Sequence, residues 1–105
     1  MSITSKNPVC KDSLKLLGDF WVMMIIDVLS DGPLRFRDLE LKVEGVNTAT
    51  LANRLKTMVT YGLVNRKEQS RADVTYELTD LGKQTLPILN AVNAFSNYAK
   101  ANINR

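Results

Sequence analysis

The segment Val46–Gly62 constrains the fold more than any other part of the sequence. Its apolar residues recur at intervals of three and four, the period of an amphipathic helix whose apolar face must be buried. Asn47 or Thr48 could cap the first turn through a side-chain oxygen, and Gly62 could adopt the left-handed conformation that ends many helices. The sequence therefore predicts a helix over 46–62. The residues predicted on its buried face are Leu51, Leu55, Met58 and Val59.

The opposite face of this helix carries short hydrogen-bonding side chains and cations but no carboxylate. Base edges in a major groove offer donors and acceptors to amides and hydroxyls, and phosphates attract lysine and arginine. A solvated outer face is the alternative, but such faces usually mix acidic with basic residues. We therefore interpret 46–62 as a DNA-recognition helix. Its predicted DNA contacts are Asn47, Thr48, Thr50, Asn53, Arg54, Lys56 and Thr57.

After this helix the sequence changes to a pattern typical of strands. Leu63–Lys67 and Val74–Leu78 are short and rich in β-branched and aromatic residues, and the polar segment 68–73 between them is turn-prone. The pattern predicts a β-hairpin over 63–78, the element called the wing. Its cations could contact phosphates or a narrow minor groove, with a merely solvated hairpin as the alternative. These cations are Arg66, Lys67 and Arg71.

The sequence before residue 46 predicts three further helices, starting near residues 12, 19 and 37. The second, to about Ser30, is apolar around more than half of its circumference and should be central. Leu34–Phe36 could be extended and add a third strand to a small sheet. The third helix, to Val43, and the recognition helix are joined by a tight turn and form a helix-turn-helix unit. Residues 1–10 have no apolar period and predict a loose arm.

A last helix is predicted over 79–104, capped at Thr79 and kinked or interrupted by Pro87. Its apolar stripe is wider than a domain of this size can easily bury, so part of it should face a second copy of the chain. Two-fold dimers read half-sites about 34 Å apart, which agrees with a DNA-binding role. Burial in the chain's own core is the alternative. The predicted interface residues on this helix are Ile88, Leu89, Val92, Phe95, Tyr98 and Ala99.

Positive charge is concentrated on the segment that contains the predicted recognition helix and wing. The chain of 105 residues, enough for one domain, carries a net charge of +3. Eight basic and four acidic side chains between Arg35 and Arg71 leave +4 in that segment. This positive charge lies on the segment that contains the predicted recognition helix and wing. Arg35, at the start of the same segment, is therefore added to the predicted DNA contacts.

The residue inventory argues against an enzyme. The sequence has no histidine and one cysteine, and it has no glycine-rich phosphate loop, so no cofactor and no metal site are predicted. Cys10 alone cannot form an internal disulfide, which favours a reducing cytoplasm. The N-terminus is polar without a secretory pattern, and the longest apolar run, Phe20–Ile26, is shorter than the about 20 residues needed to span a bilayer.

A small-molecule effector remains open, because dimer clefts can hold one between helices. Aromatic and methionine residues at helical spacing could line such a pocket, but this pattern is more often core. These residues are Phe20, Trp21, Met23 and Met24.

Short motifs stand in a specific order along the chain. They read LxLLGxxW from Leu14, LxDGPLRFxxL from Leu29, LxxRL from Leu51, GLV from Gly62 and YxLTxLG from Tyr76. With Pro87, their order and spacing resemble the HxlR-type winged helix-turn-helix regulators, relatives of the MarR group. The resemblance implies a homodimeric bacterial or archaeal transcription factor whose helix near Asn47 reads the major groove. It also implies a dimer interface between the first and last helices, which adds Leu14 and Leu17.

Two departures from the family pattern matter. Many members have a Cys-Pro-Val near the start, and its cysteine corresponds to Pro8 here, two residues before Cys10. Oxidant sensing by Cys10 and an incidental thiol therefore both remain open. The wing is also shorter than is usual and lacks the paired prolines common in the family.

The sequence thus predicts one mostly α domain with a small antiparallel β wing, a winged helix-turn-helix. The predicted function is sequence-specific binding of double-stranded DNA as a homodimeric transcriptional regulator, a repressor by default. The alternative is a winged-helix module that binds protein, since the fold serves both purposes. The acid-free helix face and the basic wing favour DNA.

Overall fold

A computed structural model describes residues 8–103 of the chain. Three helices and a short strand precede a fourth helix, which is followed by a hairpin and two C-terminal helices. The elements in chain order are α1 Pro8–Leu17, α2 Phe20–Leu29, β1 Leu34–Arg35, α3 Phe36–Lys42, α4 Thr48–Thr60, β2 Val64–Ser70, β3 Asp73–Leu78, α5 Asp80–Lys83 and α6 Leu86–Ile103. This order confirms the predicted mostly α fold with a β wing.

Helix α2 is the centre of the core, as its apolar sequence predicts. The Asp19 side chain caps it by accepting a hydrogen bond of 3.0 Å from the Val22 backbone N–H. Such a bond satisfies one of the N–H groups that have no partner within the helix. The residues that α2 and its neighbours bury together are Val22, Ile25, Ile26, Leu29, Leu39, Val43, Leu51, Leu55, Met58, Leu63, Val64 and Leu78.

Helix α4 lies within the predicted segment 46–62. Asn47 is its cap and accepts a bond of 2.7 Å from the Thr50 backbone N–H. Gly62, with a φ of +80°, follows its end in the left-handed region, which glycine adopts most readily. The prediction was wrong for Val59, which is 38% exposed. Val59 lies 80° around the helix from Leu51, at the margin of the apolar face rather than within it.

The three strands form an antiparallel sheet in the order β1, β3, β2. The segment around Leu34 supplies the third strand, with Leu34 opposite Tyr76. The hairpin lies within the predicted segment 63–78, but its strands extend further towards the turn than predicted. They run to Ser70 and from Asp73 and leave a turn of Arg71 and Ala72. An irregularity interrupts the pairing between Glu68 and Ser70. Polar residues are tolerated there because this part of β2 is exposed to solvent.

The predicted last helix is divided in two. Thr79 caps α5 by accepting a bond of 2.9 Å from the Gly82 backbone N–H. The helical structure is interrupted between Lys83 and Leu86, so the interruption precedes Pro87 instead of lying at it. Pro87 is in the first turn of α6, where a residue without an N–H loses no helical hydrogen bond.

The N-terminal helix starts earlier than predicted. Residues 1–7 of the predicted loose arm lie outside the described residues, but Pro8–Cys10 are helical. Proline suits the first position of a helix because its φ is already helical. Helix α3 likewise begins at Phe36, one residue before the predicted start.

Candidate nucleic-acid interface

The outer face of α4 is exposed along its whole length. Asn53, Lys56 and Thr60 run along the middle of this face and are exposed. Thr50 and Thr57 are half-buried, and Thr57 lies on the flank towards α1 and α2. Because α4 contains no acidic residue, this surface repels a phosphate backbone less than an ordinary helix face does. It can offer amide, hydroxyl and ammonium groups to a ligand.

Arg54 does not extend freely from this face. Its Nε donates to Asp19 Oδ2 at 2.9 Å, and its NH1 donates to Asn53 Oδ1 at 2.9 Å. The paired side chains of Arg54 and Asp19 are only 31% and 26% exposed. A predicted phosphate contact is therefore engaged in holding α4 to the start of α2.

Three of the four threonines of α4 donate their hydroxyl protons within the protein. Thr57 and Thr60 donate to the carbonyl oxygens of Asn53 and Lys56, at 3.1 and 2.9 Å. Thr48 donates to Glu40 Oε2 at 2.7 Å and so links α4 to α3. These hydroxyls keep lone pairs that can accept hydrogen bonds, but their protons are already committed.

Carboxylates neutralise most of the predicted wing cations. Arg66 pairs with Glu68 at 2.9 Å, Lys67 with Glu77, and Arg35 with Asp73 at 3.2 Å. Asp73 and Glu77 follow the segment in which the sequence showed +4, and including them lowers its excess to +2. The positive field of the wing is therefore weaker than sequence position indicates.

Two predicted cations remain outside these pairs. Among the described residues, Lys56 and Arg71 have no carboxylate within 4.0 Å. Lys56 is on the outer face of α4 and Arg71 is in the hairpin turn. They are the predicted contacts best placed to meet a phosphate without first breaking an ion pair.

Tyr76 is a residue of this surface that sequence reasoning missed. It is opposite Arg66 in the hairpin register. The Glu68 carboxylate and, less strongly, the Tyr76 hydroxyl raise the pKa of the Arg66 guanidinium above its usual value. Tyr76 also lines a cavity of about 300 Å³ between α4 and the wing, together with Lys56 and Val59. Only the hairpin register, which places it beside Arg66, would have identified it.

A second cavity lies on the other side of α4. It has a volume of about 240 Å³ and separates α1 from α4. The side chains of its polar lining are Asp12, Lys15, Asp19, Asn53, Arg54, Thr57 and Tyr61. The outer face of α4 is thus bordered by the wing on one flank and by α1 on the other.

The predicted dimer residues fall into two groups. Leu14, Phe95 and Tyr98 are 58%, 70% and 69% exposed, and Ile88 and Val92 are also exposed. Three others are more covered: Leu17 and Leu89 pack against the core, and Ala99 is half-buried. Leu81, exposed and not predicted, extends the apolar surface to α5. A cavity lined by Leu16, Leu81 and Ile88 places α1, α5 and α6 side by side. The exposed group defines the apolar face of these helices, which no side chain within residues 8–103 covers.

The remaining predicted sites are less defined. Cys10 is within α1, but its side chain lies outside the described residues. Trp21, Met23 and Met24 pack against the core, which favours the core interpretation of this group. Phe20 is exposed and contacts Trp21 edge to face, with ring centroids 4.9 Å apart.

Comparison with known proteins identifies the family. The family model described as HxlR-like helix-turn-helix matches residues 16–104. The chain belongs to this family. Membership in the HxlR-like family makes it a DNA-binding transcriptional regulator, in a family of regulators rather than enzymes.

Individual HxlR-like relatives agree with this assignment. An uncharacterised HTH-type transcriptional regulator of Halalkalibacterium halodurans is 41% identical over 80 residues, which are 73% of this chain and 71% of the relative. The reduced form of the regulator YodB from Bacillus subtilis superposes with a TM-score of 0.79 at 29% identity, covering 87% of this chain and 91% of YodB. The quinone-bound form of YodB gives a TM-score of 0.78 at 29% identity, covering 88% of this chain and 98% of YodB.

Among the residues described here, no helix has the length and apolarity required to cross a membrane.

Proposed function

We propose that this HxlR-like protein is a sequence-specific repressor that binds operator DNA as a homodimer, with α4 in the major groove. The exposed, acid-free outer face of α4 carries this proposal, since it presents the amide of Asn53 and the ammonium group of Lys56, which suit base edges and phosphates. Repression is the simplest mode for such a chain, because a bound dimer can block a promoter by occupying it. We place this activity in the cytoplasm of a bacterium or archaeon, where chromosomal DNA is found.

The proposed contacts differ in how directly they can form. Asn53 is the proposed reader of a base edge, and Lys56 and Arg71 are the proposed phosphate contacts. Four proposed cations would have to exchange a carboxylate for a phosphate: Arg35, Arg54, Arg66 and Lys67. The remaining proposed contacts are Asn47, Thr48, Thr50 and Thr57.

A second copy of the chain is the proposed occupant of the apolar face on α1, α5 and α6. Large exposed apolar side chains cluster there, and a monomer seldom leaves such a patch in water. A two-fold pair would present two α4 helices to two half-sites, which is how helix-turn-helix dimers read pseudo-palindromes.

Selection of duplexes from a random library with the purified full chain tests the function. We expect an enriched pseudo-palindrome, bound by a dimer, with affinity that falls steeply as salt increases. Asn53→Ala should lose affinity for that operator selectively, while Arg71→Ala should weaken all sequences similarly. Asn97→Ala, an exposed amide on α6, is the matched control. The absence of any enriched sequence would contradict the proposal and favour a protein-binding module.

We also infer that a small organic molecule modulates operator binding. The structure of YodB with bound quinone supports this, as does the cavity beside Asn53. Operator affinity measured with and without p-benzoquinone tests it. A loss of affinity that Cys10→Ser abolishes would assign the effect to the thiol, a loss in both proteins would favour the cavity, and no loss would contradict a quinone effector.

A further inference from the structure

The amide of Asn53 is held in one orientation. Arg54 NH1 is 2.9 Å from Asn53 Oδ1, and a guanidinium can only donate hydrogen bonds. The atom of the amide that faces Arg54 must therefore be the oxygen, because an amide nitrogen there would place donor against donor. The Nδ2 group, with its two N–H donors, therefore faces away from Arg54 and is available to a ligand, whereas Oδ1 keeps one lone pair that lies beside the guanidinium.

Asp19 fixes Arg54 in turn. One oxygen of the Asp19 carboxylate accepts from the Val22 backbone N–H at 3.0 Å, and the other accepts from Arg54 Nε at 2.9 Å. The carboxylate is thus bound to the N-terminus of α2, at the edge of the buried core. A continuous series of hydrogen bonds connects this rigid element to the Asn53 amide on the exposed face of α4.

We propose that Asp19 and Arg54 are positioning residues that make Asn53 act mainly as a donor, because its remaining lone pair lies beside a cation, and that Asn53 thereby favours guanine at one base pair of each half-site. Guanine presents two acceptors, N7 and O6, in the major groove, and both N–H donors of Nδ2 can use them. An asparagine with its oxygen free would favour adenine, accepting from N6 while donating to N7. Cytosine, which presents an N4 donor, is rejected. This inference rests on the proposed function and specifies what its central residue reads.

Asp19→Asn tests the link without removing the cap, since asparagine caps helices as well as aspartate does. Its amide can still accept from Val22, but it no longer carries the charge that binds Arg54. We expect the preference for guanine over adenine at one position per half-site to fall on the order of 10-fold, with the rest of the operator unchanged. Asp12→Asn removes the same charge from the same cavity without contacting Arg54, and should leave the preference intact.

The measurement is random-library selection followed by titration of guanine and adenine versions of the enriched operator. In the Asn53→Ala background, Asp19→Asn should change no base preference, because the residue through which it acts is absent. A general loss of stability would instead lower affinity for both operators equally. Should Asp19→Asn fail to fold, Arg54→Ala truncates a half-exposed side chain and breaks the same series of bonds.

Failure of the inference is distinct from failure of the function. If the parent enriches an operator and Asp19→Asn and Arg54→Ala keep its full base preference, the positioning role is wrong while the regulator stands. An operator without guanine at any position sensitive to Asn53→Ala would also overturn it. If the parent enriches no sequence, the proposed function itself fails.

Discussion

Gly82 packs directly against the carbonyl oxygen of Leu63, with no room for a side chain between them. A Cβ on Gly82 would overlap that oxygen, which also accepts a hydrogen bond of 3.0 Å from the Thr79 N–H. Thr79 in turn donates to the Gly62 carbonyl. These contacts join the end of α4, the start of the wing and α5 in one small region.

Gly82→Ala should therefore destabilise the protein, although alanine is the better helix former. Either Leu63 or α5 must move, and overpacking of this kind costs about 1–3 kcal/mol of unfolding free energy. Urea denaturation measures this loss of unfolding free energy, and the m-value should be unchanged. Lys83→Ala, an exposed position on the same helix, should change stability by less than about 0.5 kcal/mol. Equal stability of Gly82→Ala and the parent would contradict the close packing.

Local interactions explain which features could be predicted from sequence. Asn47 and Thr79 were identifiable as helix caps because a cap bonds to a backbone group three residues away. The apolar stripe of α4 was identifiable because its period is a property of the helix alone. The strand ends in the wing were not identifiable. Both faces of this part of β2 are exposed, so its polar residues show no alternation between buried and exposed positions.

Long-range pairing explains what could not be predicted in the interface. Arg54 pairs with Asp19, 35 residues earlier, and Arg35 pairs with Asp73, 38 residues later. A count of charges along the sequence includes such cations as free groups, whereas the fold brings carboxylates to them. The helix face was thus predictable, and the charge available on the wing was overestimated.

Removal of a wing carboxylate should strengthen DNA binding. Glu68→Gln frees Arg66 from a pair of 2.9 Å, so a phosphate no longer competes with a carboxylate for it. Because this ion pair is exposed and therefore weak, we expect a gain of only roughly two- to five-fold for all DNA sequences. The slope of log affinity against log salt should become more negative by about 0.9.

Asp27→Asn on α2 gives the same change in net charge away from the wing and is the control for Glu68→Gln. Titration by fluorescence anisotropy at four salt concentrations distinguishes the two variants. A Glu68→Gln variant whose slope equals that of Asp27→Asn would mean that Arg66 does not meet a phosphate.

DNA binding should be almost independent of pH between about 6 and 7.5. The pKa of Arg66 is raised, principally by the Glu68 carboxylate, so its charge is complete throughout this range and would be lost only far above it. The chain has no histidine, the side chain that usually titrates there. Operator affinity measured at constant ionic strength should vary less than about two-fold. A larger change would identify a titrating group outside the interface proposed here.

The apolar face on α1, α5 and α6 predicts the effect of a charge on oligomeric state. Phe95 is 70% exposed within one chain, so Phe95→Asp should leave the fold of the monomer intact. In a two-fold dimer the change would bury two carboxylates in an apolar interface, which is strongly unfavourable unless each finds a partner. Sedimentation equilibrium should then find a monomer where the parent is a dimer, and operator affinity should fall at least 10-fold as the second half-site contact is lost.

Asn97→Asp, on the opposite side of α6, adds the same charge and should remain dimeric. If Phe95→Asp remains a dimer, the two copies associate through another surface.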